Sequence, residues 1–164
     1  MRIGVDNGIS GGLVAISDFD GSYIDGIAMP SKRWRSRNEI DVLKVQQWIR
    51  EVSGYEPSKI ISVTVEEPNN SRTPSTAYSV ASSFHSLRAM LDLSVWKWHR
   101  ITPQSWQKVM FPKCAKGDTK PRALHEARNR WPNEAFLASP RCKVSHEGIV
   151  DAALIAEYSR RMKL

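Results

Sequence analysis

Hydrophobic residues along the chain follow two spacings, one of strands and one of helices. Short apolar runs at 2–6, 11–17 and 22–29 are separated by glycine-containing turns, as is typical of antiparallel strands joined by hairpins. The near-continuous apolar run 60–65 is β-branched apart from one serine, which favours a central strand covered on both faces. Residues 94–101 alternate and indicate a fifth strand.

Elsewhere the apolar residues recur every three to four positions and predict amphipathic helices. These are expected at 39–53, from a cap at Thr73 or Ser75 to about Leu91, at 103–109, at 120–130 and at 146–162. Asn38 and Ser145 are predicted N-caps. The stretch 31–38 has four basic residues, one tryptophan and no acid, so we expect an exposed loop there.

This order of elements predicts an α/β fold. Three antiparallel strands followed by alternating helices and strands give a five-stranded mixed sheet, with the last two strands parallel and helices on both faces. The 164 residues show no linker-like composition, so we expect a single domain over 1–164.

The charge balance indicates a polyanionic partner. The chain has 24 basic and 17 acidic residues, a net charge of +7 and a pI of about 9.6. Nucleic acid is the first candidate and an anionic membrane surface the second, with solubility alone as a third explanation. We find no signal peptide and no apolar run of membrane-spanning length, and the two cysteines suggest no disulfide framework. A cytoplasmic location is expected, which for a phage-encoded protein means the host cytoplasm.

Four carboxylates stand at positions where a fold of this kind could bring them together. Asp6 ends the first strand and Glu66 ends the central strand, and the carboxyl ends of adjacent parallel strands meet at one edge. Glu147 and Asp151 are four residues apart, on one face of a largely apolar helix. Purely structural roles are the alternatives. Asp6 could form a hydrogen-bonded turn, and Glu147 could stabilise the N-terminal end of the helix through its dipole.

Taken together, the four acids predict a metal-dependent hydrolytic site. Carboxylate oxygens suit Mg²⁺ or Mn²⁺. Two such ions about 4 Å apart can activate a water molecule and stabilise the leaving oxygen in phosphodiester hydrolysis. A basic surface would hold the polyanion that this site cuts.

Five segments carry a resemblance to a known family, in that family's order. They are IGVDNGISGGLVAI (3–16), VTVEEP (63–68), ITPQSWQKVMF (101–111), GDTKPRALHEA (117–127) and HEGIVDAALIAEY (146–158). With these motifs the chain resembles the RNase H-like nuclease superfamily, and within it the RuvC-type Holliday junction resolvases, especially their phage and organellar relatives. The last motif is the most specific of the five.

The resemblance implies a Mg²⁺-dependent endodeoxyribonuclease, with Mn²⁺ able to substitute and two ions in each site. It implies a homodimer that resolves four-way or other branched DNA by paired symmetric nicks, without a small-molecule cofactor or a membrane. It assigns metal-binding and catalytic roles to Asp6, Glu66, Glu147 and Asp151. Lys120 matches a basic residue close to the scissile phosphate. We expect His146 to assist, and the sequence leaves open whether His146 or Glu147 is the third ligand.

DNA contacts are expected from basic and polar residues around this site. The predicted residues are Arg33, Arg35, Asn69, Asn70, Arg72, Lys113, Lys116, Lys120 and Arg122. Trp34 has two possible roles, stacking on an unpaired base or packing on the domain.

Three other function classes are alternatives to this reading of the sequence. Another RNase H-like nuclease, acting on RNA–DNA hybrids or on branched DNA, is the chief alternative, although the motif in the last helix argues against a ribonuclease H. A non-catalytic nucleic-acid-binding protein would not need four such acids. Sugar kinases and actin-like ATPases share the glycine-rich first motif but need two such domains, for which 164 residues are too few.

Overall fold

The computed structural model describes residues 1–35, 37–68, 73–111 and 119–164. Seven strands lie among these residues: β1 Arg2–Asp6, β2 Gly12–Ile16, β3 Tyr23–Ala28, β4 Ser31–Trp34, β5 Arg37–Ile40, β6 Ser62–Glu66 and β7 Trp98–Ile101. The α-helices among them are α1 Val42–Val52, α2 Pro74–Asp92, α3 Pro103–Met110, α4 Thr119–Arg130 and α5 Glu147–Met162, with a short 3-10 helix at Pro57–Lys59.

The main sheet has five strands in the order β3-β2-β1-β6-β7. Strands β1, β2 and β3 pair antiparallel, whereas β6 runs parallel to β1 and β7 runs parallel to β6. This arrangement confirms the predicted mixed sheet. Since Val5 pairs with Val65, the next residues in register are Asp6 and Glu66, at one edge of the sheet.

Two apolar clusters cover the sheet from opposite sides. One joins the sheet to α3, α4 and α5, and Trp106 and Leu154 are fully buried in it. The other joins the sheet to α1 and α2, with Ile49 and Leu87 at its centre. Helices therefore lie on both faces, as the sequence predicts. None of the described helices is long and apolar enough to span a bilayer.

Glycines allow α5 to approach the sheet closely. A Cβ on Gly4 would lie 2.1 Å from the carbonyl oxygen of Ala152, and a Cβ on Gly148 would lie 2.4 Å from Gly11. Gly11 and Gly148 also form an isolated β-bridge. The glycines that follow Asp6 thus allow α5 to lie close to the sheet.

Gly4→Ala is expected to destabilise the protein by roughly 2–3 kcal/mol, because the added methyl group would overlap the backbone of α5. Chemical denaturation of the purified variant measures this change. Gly8→Ala is the control, since its Cβ would lie 3.3 Å from the nearest atom, and a loss of under about 1 kcal/mol is expected there. Equal stability of both variants would show that α5 is free to move away from β1.

The predicted loop at 31–38 is wrong. Residues Ser31–Trp34 and Arg37–Ile40 pair as an antiparallel hairpin that is separate from the main sheet. Its pattern was hard to read because Ile40 is buried while the other strand residues are exposed. A strand without an apolar face carries no alternation for the sequence to display.

Several element boundaries also differ from the prediction. Helix α1 begins after Asp41, whose side chain accepts a hydrogen bond from the Lys44 N–H, so Asn38 is not its N-cap. Helix α5 begins after His146, and the Ser145 hydroxyl instead donates to the Ala135 carbonyl. Strand β7 begins at Trp98 instead of residue 94. These shifts leave the order of the main-sheet strands unchanged.

Candidate active site

Asp6 and Glu66 project from adjacent strand ends, and both carboxylates are largely buried. Burial and the negative charges of Glu66 and Asp151 raise the pKa of Asp6 from 3.8 to about 8, and a hydrogen bond from the Gly8 N–H opposes the change. Burial also raises the pKa of Glu66. The strand ends therefore hold two carboxylates in a setting that disfavours their charge.

Helix α5 brings Asp151 to the same place. Burial, together with the charges of Glu66 and Glu147, raises the pKa of Asp151 from 3.8 to about 7, and Lys120 lowers it. Asp6, Glu66 and Asp151 therefore form one electrostatically coupled group, built from β1, β6 and α5. Convergence of these three chain segments is the arrangement that the sequence predicted.

Glu147 and Lys120 form an ion pair at the edge of this group. Lys120 Nζ donates to Glu147 Oε2 at 2.6 Å, and the side chains are 72% and 66% exposed. The hydrogen bond and charge of Glu147 raise the pKa of Lys120. In solvent such a pair contributes little to stability, so both groups remain available to a ligand.

Trp106 is a member of the site that sequence reasoning missed. The residue is 1% exposed in the core, and its Nε1–H donates to Glu66 Oε1 at 2.8 Å. This bond opposes the rise in the pKa of Glu66 and fixes the position of its carboxylate. A buried indole N–H usually has an acceptor, which is the general reason to expect a polar group beside Trp106.

His146 and Asn7 flank the acids with unpaired buried polar atoms. His146 immediately precedes α5, and its Nδ1 is buried without a hydrogen-bond partner among the described residues. Asn7 is 4% exposed, and neither atom of its amide is paired within the described ranges. Buried polar groups of this kind are uncommon and require a partner such as a water molecule or a ligand.

The chemistry of the acid group fits a divalent cation. Its donors are all carboxylate oxygens, and repulsion between them disfavours the charged forms, which a cation among them would reverse. In the described part of the chain, no group of three or more His, Cys, Asp or Glu side chains is already arranged to hold a metal ion. The acid group therefore fits a divalent cation in the type of its donor atoms and in its charge.

A mostly apolar cavity of about 280 Å³ adjoins Glu147 and Asp151. Leu124, Val144 and Val150 contribute apolar atoms, and Lys120 and Asp151 stand beside them. A ligand that carries both an anionic and an apolar part could therefore contact the charged group and this cavity together.

The remaining predicted DNA-binding residues lie in different places. Arg33 and Arg35 are exposed on the β4–β5 hairpin, away from the acid group in sequence. Arg122 lies on α4 and pairs with Glu126 at 2.9 Å. The other predicted contacts, Asn69, Asn70, Arg72, Lys113 and Lys116, lie outside the described residues.

Two solved structures are similar to this chain over nearly its whole length. One is described as "T. thermophilus RuvC in complex with Holliday junction substrate". It is 19% identical with a TM-score of 0.65, and the match covers 98% of this chain and 94% of that chain. The other, a structure of Thermus thermophilus RuvC, is 18% identical with a TM-score of 0.56, covering 99% and 96%.

The chain has the RuvC fold. The resemblance inferred from the five motifs is thereby confirmed at the level of the fold. No protein-family model matches the sequence, and none of the curated proteins is detectably similar to it. Likeness to RuvC is therefore visible in the backbone, while the side chains have to be interpreted from their own chemistry.

Proposed function

We propose that this protein is a divalent-cation-dependent endonuclease that resolves four-way DNA junctions. This proposal is supported by the similarity to a structure of T. thermophilus RuvC in complex with a Holliday junction substrate. The net charge of +7 suits the same class of ligand. We further propose that the protein acts as a homodimer, because a two-fold symmetric pair of sites suits paired nicks in a symmetric junction.

One observation carries the proposal. Asp6, Glu66 and Asp151 come from three elements far apart in the chain, yet the charge of Glu66 acts with burial to raise the pKa of both Asp6 and Asp151 at a single edge of the sheet. A group that disfavours its own charge destabilises the fold, so such a group is more typical of a functional site than of a structural one.

In this proposal each residue has a distinct role. Asp6, Glu66 and Asp151, with Glu147 at the edge, would hold one or two Mg²⁺ or Mn²⁺ ions, which supply an activated water molecule and charge stabilisation for phosphodiester hydrolysis. Trp106 orients Glu66 through its hydrogen bond. Lys120 would leave Glu147 and bind an oxygen of the scissile phosphate, and His146 would assist from the start of α5.

The test is incubation of the purified protein with a synthetic four-way DNA junction, with and without Mg²⁺. Linear duplex DNA and an RNA–DNA hybrid serve as controls. Cutting of the junction alone, at symmetric positions and only with the cation, is the expected result. Preferential cutting of the hybrid would indicate a ribonuclease instead, and binding without cutting in either Mg²⁺ or Mn²⁺ would indicate a non-catalytic DNA-binding protein.

Lys120→Ala is expected to slow single-turnover junction cleavage by roughly 10²-fold while weakening junction binding less than about threefold, because one exposed charge adds little to the total affinity. Rates from rapid quenching and affinities from fluorescence anisotropy separate the two effects. Arg88→Ala is the matched control, since Arg88 is another exposed cation paired with a single acid. A wild-type cleavage rate in Lys120→Ala would remove Lys120 from the site.

A further inference from the structure

The β4–β5 hairpin is a surface element that the proposed catalytic site does not use. Its strand residues are exposed apart from Ile40, which is 4% exposed. Arg35 at the turn has a φ of 52°, and Arg33 Nε donates to the Arg35 carbonyl at 3.3 Å. A hairpin with one buried strand residue adds little to the core, so its exposed side chains need another explanation.

Positive charge is left unneutralised on this hairpin. Residues 31–40 include Lys32, Arg33, Arg35 and Arg37 against one acid, Glu39. Within the described part of the chain, none of these four cations forms an ion pair. Nine of the other described cations form ion pairs, three of them with a single glutamate. The hairpin is therefore a concentrated site for a polyanion.

Trp34 is exposed among these cations. Trp34 is 60% exposed and pairs with Arg37 across the two strands of the hairpin. This exposure disfavours packing on the domain and favours stacking on a base, the other role that the sequence allows. Phe19, another exposed aromatic ring, lies between Asp18 and Asp20 in the sequence, where a nucleic acid would be repelled.

Helix α2 supports the hairpin from one side. The Arg37 guanidinium carbon lies 5.7 Å from the centroid of the Tyr78 ring, within cation–π range. A cavity of about 130 Å³ between the two elements is lined by Lys32, Arg37 and several serines of α2, among them Ser82. Lysine, arginine and serine are common phosphate contacts. The residues that line this cavity could therefore bind the phosphate backbone of a nucleic acid whose base stacks on Trp34.

We propose that the β4–β5 hairpin is a second nucleic-acid-binding site, in which Trp34 stacks on an unpaired base while Lys32, Arg33 and Arg35 bind the flanking phosphates. The proposal rests on the proposed function only in taking nucleic acid as the ligand. Unpaired bases occur in single strands and at the opened centre of a branched DNA. The hairpin would therefore favour such DNA over linear duplex.

The stacking role is tested by binding in EDTA, so that no DNA is cut. The probes are a fluorescein-labelled 20-nucleotide single strand, a four-way junction and a linear duplex. Trp34→Ala is expected to weaken single-strand binding about tenfold and to leave duplex binding within about twofold. Trp34→Phe should recover most of the loss. Phe19→Ala is the matched control and should bind all three probes like the wild-type protein.

The phosphate role is tested by the double variant Arg33→Gln/Arg35→Gln. This variant should bind all three probes more weakly than the wild type. The slope of log affinity against log salt concentration should become smaller in magnitude by roughly 1.5, as expected for two lost phosphate contacts. An unchanged slope, or a Trp34→Ala protein that binds every probe as the wild type does, would overturn the proposal. An equal loss for duplex and single strand in Trp34→Ala would overturn the stacking role.

These outcomes are independent of catalysis. A wild-type protein that cuts junctions, with hairpin variants that bind normally, would remove the hairpin site and keep the nuclease. A wild-type protein that cuts no DNA, but loses single-strand affinity in Trp34→Ala, would remove the nuclease and keep the hairpin site.

Discussion

Asp6→Asn is expected to lower the rate of junction cleavage in Mg²⁺ by at least about 10³-fold and to leave junction affinity unchanged or slightly higher. The substitution removes a carboxylate at the centre of the coupled group and replaces it with an amide of the same shape, which binds a divalent cation poorly. Removal of one negative charge near the bound DNA cannot weaken electrostatic binding. Single-turnover cleavage and anisotropy titration measure the two quantities.

The same substitution is expected to stabilise the cation-free protein. The pKa of Asp6 is about 8 in the folded state against 3.8 in the unfolded chain, so folded Asp6 retains a proton between these values. Its contribution is fully present below pH 3.8 and is lost as the pH rises towards 8. Wild-type stability in EDTA should therefore fall between pH 5 and 8, and Asp6→Asn should flatten that fall, gaining roughly 1–2 kcal/mol at pH 8.

A matched control separates the acid group from acids in general. Asp20 lies on an exposed turn, where hydrogen bonds from Ser17 and Ser22 lower its pKa to about 2. Asp20→Asn should therefore leave cleavage unchanged and should not stabilise the protein at pH 8. Equal loss of binding and cleavage in Asp6→Asn, or a lower stability at pH 8, would contradict a ligand role for Asp6.

The main sheet could be predicted from sequence because its strands carry their own signals. Strand β1 is a short apolar run that ends at an acid, and β6 lies at the end of the mostly β-branched run 60–65 and also ends at an acid. Parallel pairing of β1 with β6 then places Asp6 beside Glu66 without further information. The acidic positions of α5 were visible for a similar reason, since Asp151 interrupts a run of buried residues.

The features that were missed depend on partners distant in the chain. The bond from Trp106 to Glu66 joins residues 40 positions apart, and nothing local identifies the acceptor. The β4–β5 hairpin lacks an apolar face, so its strand period is hidden and only its charge is visible. Sequence patterns report the burial of an element, and they say less about which element covers it.

Glu157 in α5 has some partners that the sequence predicts and one that it does not. Its bonds to Arg160 and Arg161 follow helical i, i+3 and i, i+4 spacing and are readable from the sequence. The third partner, Arg130 of α4, binds Glu157 Oε1 at 2.8 Å and could not be foreseen. The carboxylate is 0% exposed, so three guanidinium groups surround one buried charge at the junction of α4 and α5.

Glu157→Ala is expected to lower the free energy of unfolding by roughly 3–5 kcal/mol, because it leaves three arginines facing one another without their shared carboxylate. Denaturant titration at pH 7 measures this change. Glu56→Ala is the control, since Glu56 pairs with Lys59 at 2.8 Å with both side chains more than half exposed, and a change within about 0.5 kcal/mol is expected.

The acid limb of the stability curve gives a second, independent readout for Glu157. Burial alone would raise its pKa, but hydrogen bonds from Arg160 and Arg161 and the charge of Arg130 outweigh burial and lower it. The stabilisation is therefore present above the unfolded value of 4.5 and is lost as the pH falls through the folded value. Glu157→Gln should remove this acid-dependent loss while keeping the side-chain shape. Two results would show that the arginines are held by water and not by Glu157: a Glu157→Gln protein that loses stability at low pH as the wild type does, or a Glu157→Ala protein whose free energy of unfolding falls by less than about 1 kcal/mol.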